Sequence, residues 1–248
     1  MKVNWDYTDL AESYDKRPGY SDSAIKEMIM TMGMAHGNNV LDLGAGTGKL
    51  TRPLSVFGLN ITAIEPNDAM LSFGKKNTHN KDNVKWVKAA AEDLPIDDNT
   101  VDAVFMGSSF NVVDQQKCLK EIYRVLKPKG RFACMWNHRD LRDTVQIKIE
   151  NCIKSHIPDY NYGTRRQDPT DEIMSSNLFD SLTNIDRHFS VQISAHDFLE
   201  AWKSHGTLHR QAGASFSKII EEIIQITGTV SELTVPYDTR IWVCRSKK

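Results

Sequence analysis

The 248 residues are enough for one large α/β domain with a sizeable core. Thirty-one Lys plus Arg against 32 Asp plus Glu leave a formal net charge of -1, which argues against the broad basic field that nucleic acid or anionic lipid would need. Cys118, Cys134, Cys152 and Cys244 are scattered without a C-x-x-C pair or a zinc-type His/Cys spacing, and no apolar run resembles a secretory leader or a membrane span. A cytoplasmic protein without a metal site is expected.

In chain order, apolar residues at helical spacing predict an amphipathic helix over Ser21 to Ala35, a Ser/Asp start leading into Ile25, Met28, Ile29 and Met32. Met28, Met30, Met32 and Met34 invite a metal reading, but alternate positions point in different directions on a helix, so they are assigned to packing and surface. Val40 to Leu43 reads as a strand, followed by a glycine-rich turn and a helix carrying Leu50, Leu54 and Phe57. Asn60 to Glu65 is a second strand, Asn67 caps a helix to about Lys76, and Val84 to Ala89 is a third strand. Val101 to Met106 is a buried strand. A helix marked by Leu119, Ile122, Tyr123 and Leu126 stops at Lys127-Pro128-Lys129-Gly130, and Arg131 to Trp136 is the next strand.

This alternation predicts a parallel sheet covered on both faces, doubly wound by the right-handed crossover rule. Beyond residue 136 the rhythm loosens. A helix is expected from Leu141 to Ser155, a Tyr/Arg/Asp/Pro stretch from Pro158 to Thr170, and a short helix near Ile173. His188 to Ser194 reads as a strand, Asp197 to His205 and Phe216 to Thr227 as helices, and Thr239 to Arg245 as a closing strand. The expected whole is one domain over 1–248, with N-terminal cap helices in 1–36 and an irregular, partly helical insert over 141–190 covering an acceptor site.

The chemistry concentrates in Leu41-Asp42-Leu43-Gly44-Ala45-Gly46-Thr47-Gly48-Lys49-Leu50, at the carboxyl end of the first strand, where open α/β sheets place ligands. Glycines there let the chain turn sharply and bring backbone N–H groups against a ligand. The third glycine comes one residue too early for the dinucleotide fingerprint, and no Gly-Lys-Ser/Thr follows, so neither a pyrophosphate cradle nor a P-loop is indicated. Asp42 suits a cationic ligand end and would repel a pyrophosphate. Glu65, about twenty residues after the glycines, stands where a carboxylate accepts from ribose hydroxyls.

The D-L-G-A-G-T-G turn, Ile64-Glu65-Pro66 with Met70, Ala91-Glu92-Asp93-Leu94-Pro95 and Glu121-Ile122-Tyr123-Arg124-Val125-Leu126-Lys127-Pro128-Lys129-Gly130 together resemble the class I methyltransferases dependent on S-adenosylmethionine (SAM), of the small-molecule, type 11-like kind. The flanks Ala11 to Tyr20 and Trp136-Asn137-His138-Arg139-Asp140 extend the likeness. The resemblance implies a seven-stranded, mostly parallel Rossmann-like sheet, SAM as cofactor and a small-molecule acceptor methylated on O, N or C. It places Asp42, Gly44 and Gly46 at the methionine end, Gly48 in the turn, Glu65 on the ribose, and Pro66 and Met70 beside the adenine. Ala91 and Glu92 fall at the adenine edge, Gly107 and Ser108 face the cofactor, and Tyr14 closes over it. Ala90 replaces the Asp the family often has, leaving Glu92 or backbone to meet the adenine amino group. Asn111-Val112 replaces a His-Trp pair.

Tyr20, Asn111 and His138 are the substrate-facing candidates, His138 also as a base near neutral pH. Trp136 and Trp242 are expected in the core. Arg165 and Arg166 are expected as a solvated pair, the other reading being a bidentate hold on a carboxylate or phosphate acceptor. No catalytic residue is assigned, because aligning an activated methyl with its acceptor can carry most of the reaction. Two other readings stay open: a nicotinamide-dependent oxidoreductase, and a SAM-binding regulatory subunit without turnover.

Overall fold

The computed structural model describes residues 7–248, including every side chain there except that of Arg165; the first six residues of the expected cap lie outside this range. Seven strands form one sheet in the order β3-β2-β1-β4-β5-β7-β6. The parallel part comprises β1 (Asn39–Leu43), β2 (Asn60–Ile64), β3 (Val84–Val87), β4 (Val101–Gly107) and β5 (Leu126–Arg139). The last two strands, β6 (Phe179–Ser194) and β7 (Glu232–Ser246), run antiparallel: β7 pairs with β5, and β6 with β7. The order steps outward from β1 in both directions, so the sheet is doubly wound and mostly parallel.

Two apolar layers sandwich the sheet, and strand alternation assigns each residue to one of them. On one face Leu41, Leu43, Val104, Met106, Phe132 and Trp242 pack with Leu119 and Ile122 of α5 (Gln115–Val125). On the other, Val40, Ile61, Phe105, Met135 and Ile241 meet Ile25, Met28 and Ile29 of α2 (Asp22–Thr31), together with Leu50 and Leu54. Ser21 caps α2, its Oγ accepting from the Ala24 N–H at 3.3 Å. Asn67 caps α4 (Asp68–Asn77), its Oδ1 accepting from the Met70 N–H at 3.0 Å. Met28 and Met32 are buried and Met30 is 71% exposed, as alternation around a helix requires. The short helix α3 (Thr51–Ser55) follows the glycine turn, and the short α1 (Ala11–Asp15) precedes α2.

Lys127 to Gly130 does not end a helix before a separate strand. Strand β5 starts at Leu126, opposite Val101, and resumes register at Arg131 opposite Ala103, so these residues form an irregularity within the strand, with Lys129 at φ 64.

The C-terminal third departs most from expectation. Strand β6 begins at Phe179 and β7 at Glu232, so residues 179–190 belong to the sheet rather than to an irregular insert. The exposed-polar sequence of β6 hides its strand character because it is the edge strand, with few buried positions. Helices α6 (Thr144–His156), α8 (Ala195–Lys203), α9 (Gly206–Ala212) and α10 (Phe216–Thr227) enclose a third apolar core with the ends of β6 and β7. Ile149, Ile153, Phe198, Trp202, Leu208, Ile219 and Ile223 fill it. The short helix near Ile173 is α7 (Thr170–Ser175), which packs on the α5 side of the sheet. Helix α9 escapes the apolar pattern because it is only two turns long. Where α6 meets α10, the Cys152 thiol donates to Glu222 Oε2 at 3.3 Å and His156 Nε2 lies 2.9 Å from Oε1, a three-ligand cluster invisible in linear spacing.

Candidate active site

The parallel strands end at a common edge, and there the glycine turn leaves β1. Gly44, at φ 65, cannot carry a Cβ, because the atom would stand 2.6 Å from the Ser109 Cβ. Ser109 braces the same point by donating from Oγ to the Leu43 carbonyl at 2.7 Å. Gly46, at φ 58, faces open space between Met70 and Tyr14; a Cβ there would lie 3.2 Å from Met70 Cε and 3.9 Å from Tyr14 Cε1. The turn thus leaves a cradle that any side chain would begin to fill.

Glu65, at the end of β2, locks that cradle. Its Oε2 accepts from the Gly46 N–H and its Oε1 from the Asn67 N–H, each at 2.9 Å. Burial raises its pKa and these two backbone donors lower it. Each oxygen keeps a lone pair for a further donor, so the carboxylate can both hold the turn and receive a diol. Pro66, Met70, Ala91 and Glu92 continue the wall of this first cleft, and Gly44, Gly107, Ser108, Ser109 and Val112 close it. Glu92 Oε1 also accepts from the Asp114 N–H at 2.9 Å, which ties the Glu92 loop to the start of α5. Tyr14 crosses the mouth, edge-on to Tyr7 at 5.3 Å between ring centroids.

Two residues expected at the cofactor stand elsewhere. Asp42 is fully buried beneath the turn and is absent from the cleft wall; its Oδ2 accepts from Thr51 Oγ1 at 2.6 Å, while Oδ1 has no hydrogen-bond partner among the described residues. Burial raises its pKa to about 7, with the Thr51 bond opposing and the Glu65 charge adding to the rise. Alternation along β1 puts Asp42 on the same face of the sheet as Val40, opposite Leu41 and Leu43, where Thr51 of α3 covers it. Gly48 backs onto Trp86 and Thr78, a packing position beneath the turn.

A second cleft adjoins the first and shares Tyr14 and Ser108 with it. Ser108 is a non-glycine residue at φ 58, an unfavourable conformation of the kind that gathers at functional sites. Its N–H donates to the Met135 carbonyl at 2.8 Å, and its hydroxyl lies 3.0 Å from the Tyr20 hydroxyl. Tyr20 and His138 line this cleft, as the sequence suggests for substrate-facing groups. Asn111 does not: Oδ1 accepts from Trp136 Nε1 at 2.9 Å, and the residue braces the end of β5 instead. Trp136 and Trp242 are buried edge-to-face at 5.6 Å, and Trp136 also reaches the cleft.

The remaining walls come from places sequence reading passed over. Arg17, Lys49 and Arg139 approach from the sheet edge; Gln146, Glu150, Tyr162, Trp202 and His205 approach from the helical cover. Arg166 is half-buried in this wall rather than solvated, its Nη2 donating to the Arg139 carbonyl at 2.9 Å. Arg17, Lys49 and Arg139 fall inside the segments quoted above without a role assigned there, and the others lie in no motif; they converge only when β5, α6 and α8 fold together. Lys49 donates to the Asp15 carbonyl at 2.7 Å, and burial pushes its ammonium down to about 8.

The doubly wound sheet, glycine cradle, strand-end carboxylate and second cleft all stand at one edge of a Rossmann-like fold. Residues 41–134 match the family described as "methyltransferase domain". An uncharacterized methyltransferase of Mycobacterium tuberculosis is 39% identical over 126 residues, 51% of this chain and 49% of that protein. A ubiquinone/menaquinone biosynthesis C-methyltransferase of Citrobacter koseri is 42% identical over 110 residues, 42% of this chain and 44% of that protein. The chain thus aligns with about half the length, or less, of these curated relatives. Phosphoethanolamine N-methyltransferase 2 of Haemonchus contortus, solved with phosphomonomethylethanolamine and S-adenosylhomocysteine, shares the fold at a TM-score of 0.57 and 15% identity, over 98% of this chain and 61% of that one. Among the described residues no helix is long and apolar enough to cross a membrane.

Proposed function

We propose that the protein is an enzyme that transfers the methyl group of SAM to a small-molecule acceptor. The observation that carries the reading is the pair of adjoining clefts joined at Tyr14 and Ser108, one holding the Glu65 carboxylate and glycine cradle, the other walled by residues of β5 and the helical cover. Glu65 would receive the ribose hydroxyls, Gly44 and Gly46 would admit the methionine end, and Met70, Pro66 and Ala91 would border the adenine. SAM supplies an activated methyl, so the protein's part is alignment and exclusion of water.

Tyr14 stands beside the cradle, and the Tyr20 hydroxyl holds that of Ser108, a residue that lines both clefts. If the acceptor must lose a proton, His138 and Lys49 are the groups in the second cleft suited to take it near neutral pH. The C- and N-methyl acceptors are properties of those proteins; the C-methyltransferase aligns with 42% of this chain and the N-methyltransferase is 15% identical to it, so neither chooses among O, N and C.

Calorimetry with SAM, S-adenosylhomocysteine and NAD tests the cofactor, and S-adenosylhomocysteine release over a panel of small acids, phenols and amines tests the activity. Binding of SAM with release on at least one acceptor is expected. Binding of NAD alone would overturn the reading in favour of an oxidoreductase, and SAM binding with no turnover on any acceptor would favour a regulatory subunit.

A further inference from the structure

The second cleft has an unusual charge balance. Four cationic side chains, Arg17, Lys49, Arg139 and Arg166, line it against one carboxylate, Glu150. That carboxylate is already engaged, Oε2 accepting from the Tyr162 hydroxyl and Oε1 lying 3.3 Å from Lys154 Nζ. Arg17 is held by the Ser204 hydroxyl and carbonyl. Arg139 and Arg166 have no ion-pair partner among the described residues; their guanidinium carbons stack 3.8 Å from the Trp202 ring centroid and 4.6 Å from that of Tyr162.

The hydrogen-bond inventory of the same walls points the same way. Arg139 Nε, Gln146 Nε2 and Trp202 Nε1 are buried donors without an acceptor among the described residues. A buried donor left without an acceptor is destabilising, and a desolvated cation without a counter-charge is more so. The guanidinium groups of Arg139 and Arg166, with the unmet donors of Gln146 and Trp202 beside them in one cleft, are the complement of a ligand rich in acceptor oxygens and negative charge. Burial lowers the pKa of both Arg166 and Lys49, so an anion arriving beside them would regain what desolvation takes away.

We infer that the methyl acceptor carries an oxyanion group, a carboxylate or a phosphate, gripped by Arg139 and Arg166. This rests on the methyltransferase reading above and narrows it to an anionic substrate class. Aromatic stacking pre-orients both guanidinium planes, which favours two-point contact with an oxyanion over a single contact to a neutral oxygen.

The test uses the full chain loaded with S-adenosylhomocysteine. Binding is measured by calorimetry for matched pairs: small carboxylic acids against their primary amides, and phosphate monoesters against the parent alcohols. In at least one series the anion should bind about 10- to 100-fold tighter than its neutral partner. Which series shows the preference identifies the oxyanion. Arg166→Gln should reduce that preference at least about tenfold, and Arg166→Lys, which keeps the charge but not the planar fork, should restore part of it. S-adenosylhomocysteine affinity, measured on the same variants, should stay unchanged. No anion preference in either series, no binding of any anion, or a preference untouched by Arg166→Gln would overturn the inference. Failure to bind S-adenosylhomocysteine at all would instead strike the cofactor reading, so the two failures are separable.

Discussion

Asp42 and Glu65 are two carboxylates beneath one glycine turn, and their surroundings give them different work. Glu65 meets two backbone donors and the cleft; Asp42 meets one hydroxyl and no solvent. Because the folded pKa of Asp42 is raised from 3.8 to about 7, the native state holds a proton that the unfolded chain releases. Its contribution to stability is therefore most favourable below about pH 4, declines as pH rises to about 7, and is flat above that. Asp42→Asn keeps an oxygen for Thr51 and removes the titration. Urea unfolding from pH 4 to 7 should show a shallower loss of stability in the variant than in the parent chain; equal slopes would mean that Asp42 is ionised throughout. The sequence shows that an acid opens the glycine motif, but it cannot show which way the acid points. That depends on which face of β1 is covered by Thr51 of α3.

At the level of elements, legibility follows the strength of local pattern. Strands β1 to β5 and helices α2, α4 and α5 are readable because each carries a buried apolar period bounded by a cap or turn: Ser21, Asn67 and Asp114 all accept from a first-turn N–H. The cofactor cleft is readable for the same reason, since Gly44, Gly46, Glu65, Met70 and Ala91 lie in short motifs at consecutive strand ends. Edge strand β6 and the two-turn α9 are not, and neither is the acceptor cleft, whose walls are brought together by tertiary packing alone. Arg166 shows the difference: the sequence offers two settings for it, and only the fold puts it against Arg139. The helical cover owes its stability to apolar contacts such as those of the fully buried Ile223 in α10. Ile223→Ala should cost this cover about 2–5 kcal/mol. Hydrogen exchange should then quicken in α6, α8 and α10 while protection of β1 and β4 persists; uniform loss across the sheet would show one indivisible core.

The whole molecule is built from a sheet sandwiched by two apolar layers and a helical cover with a third. The cofactor cleft belongs to the first body, and the acceptor cleft lies where the two meet. Glu65→Ala removes an acceptor from the cradle and should weaken SAM binding by about 1–3 kcal/mol. Introducing the same change into the Ile223→Ala background should weaken it equally, within about 0.5 kcal/mol, because the two sites share no packing partners. A larger discrepancy, measured by calorimetry on the four proteins, would reveal strain passing between the bodies. Among the described residues only Tyr14 and Ser108 line both clefts, and Ser108 occupies its place in a backbone conformation that glycine adopts more readily. On the proposed reading, Tyr162 and Gln146 line the second cleft and not the first, so substitutions there would redraw the choice of acceptor while leaving capture of the donor untouched.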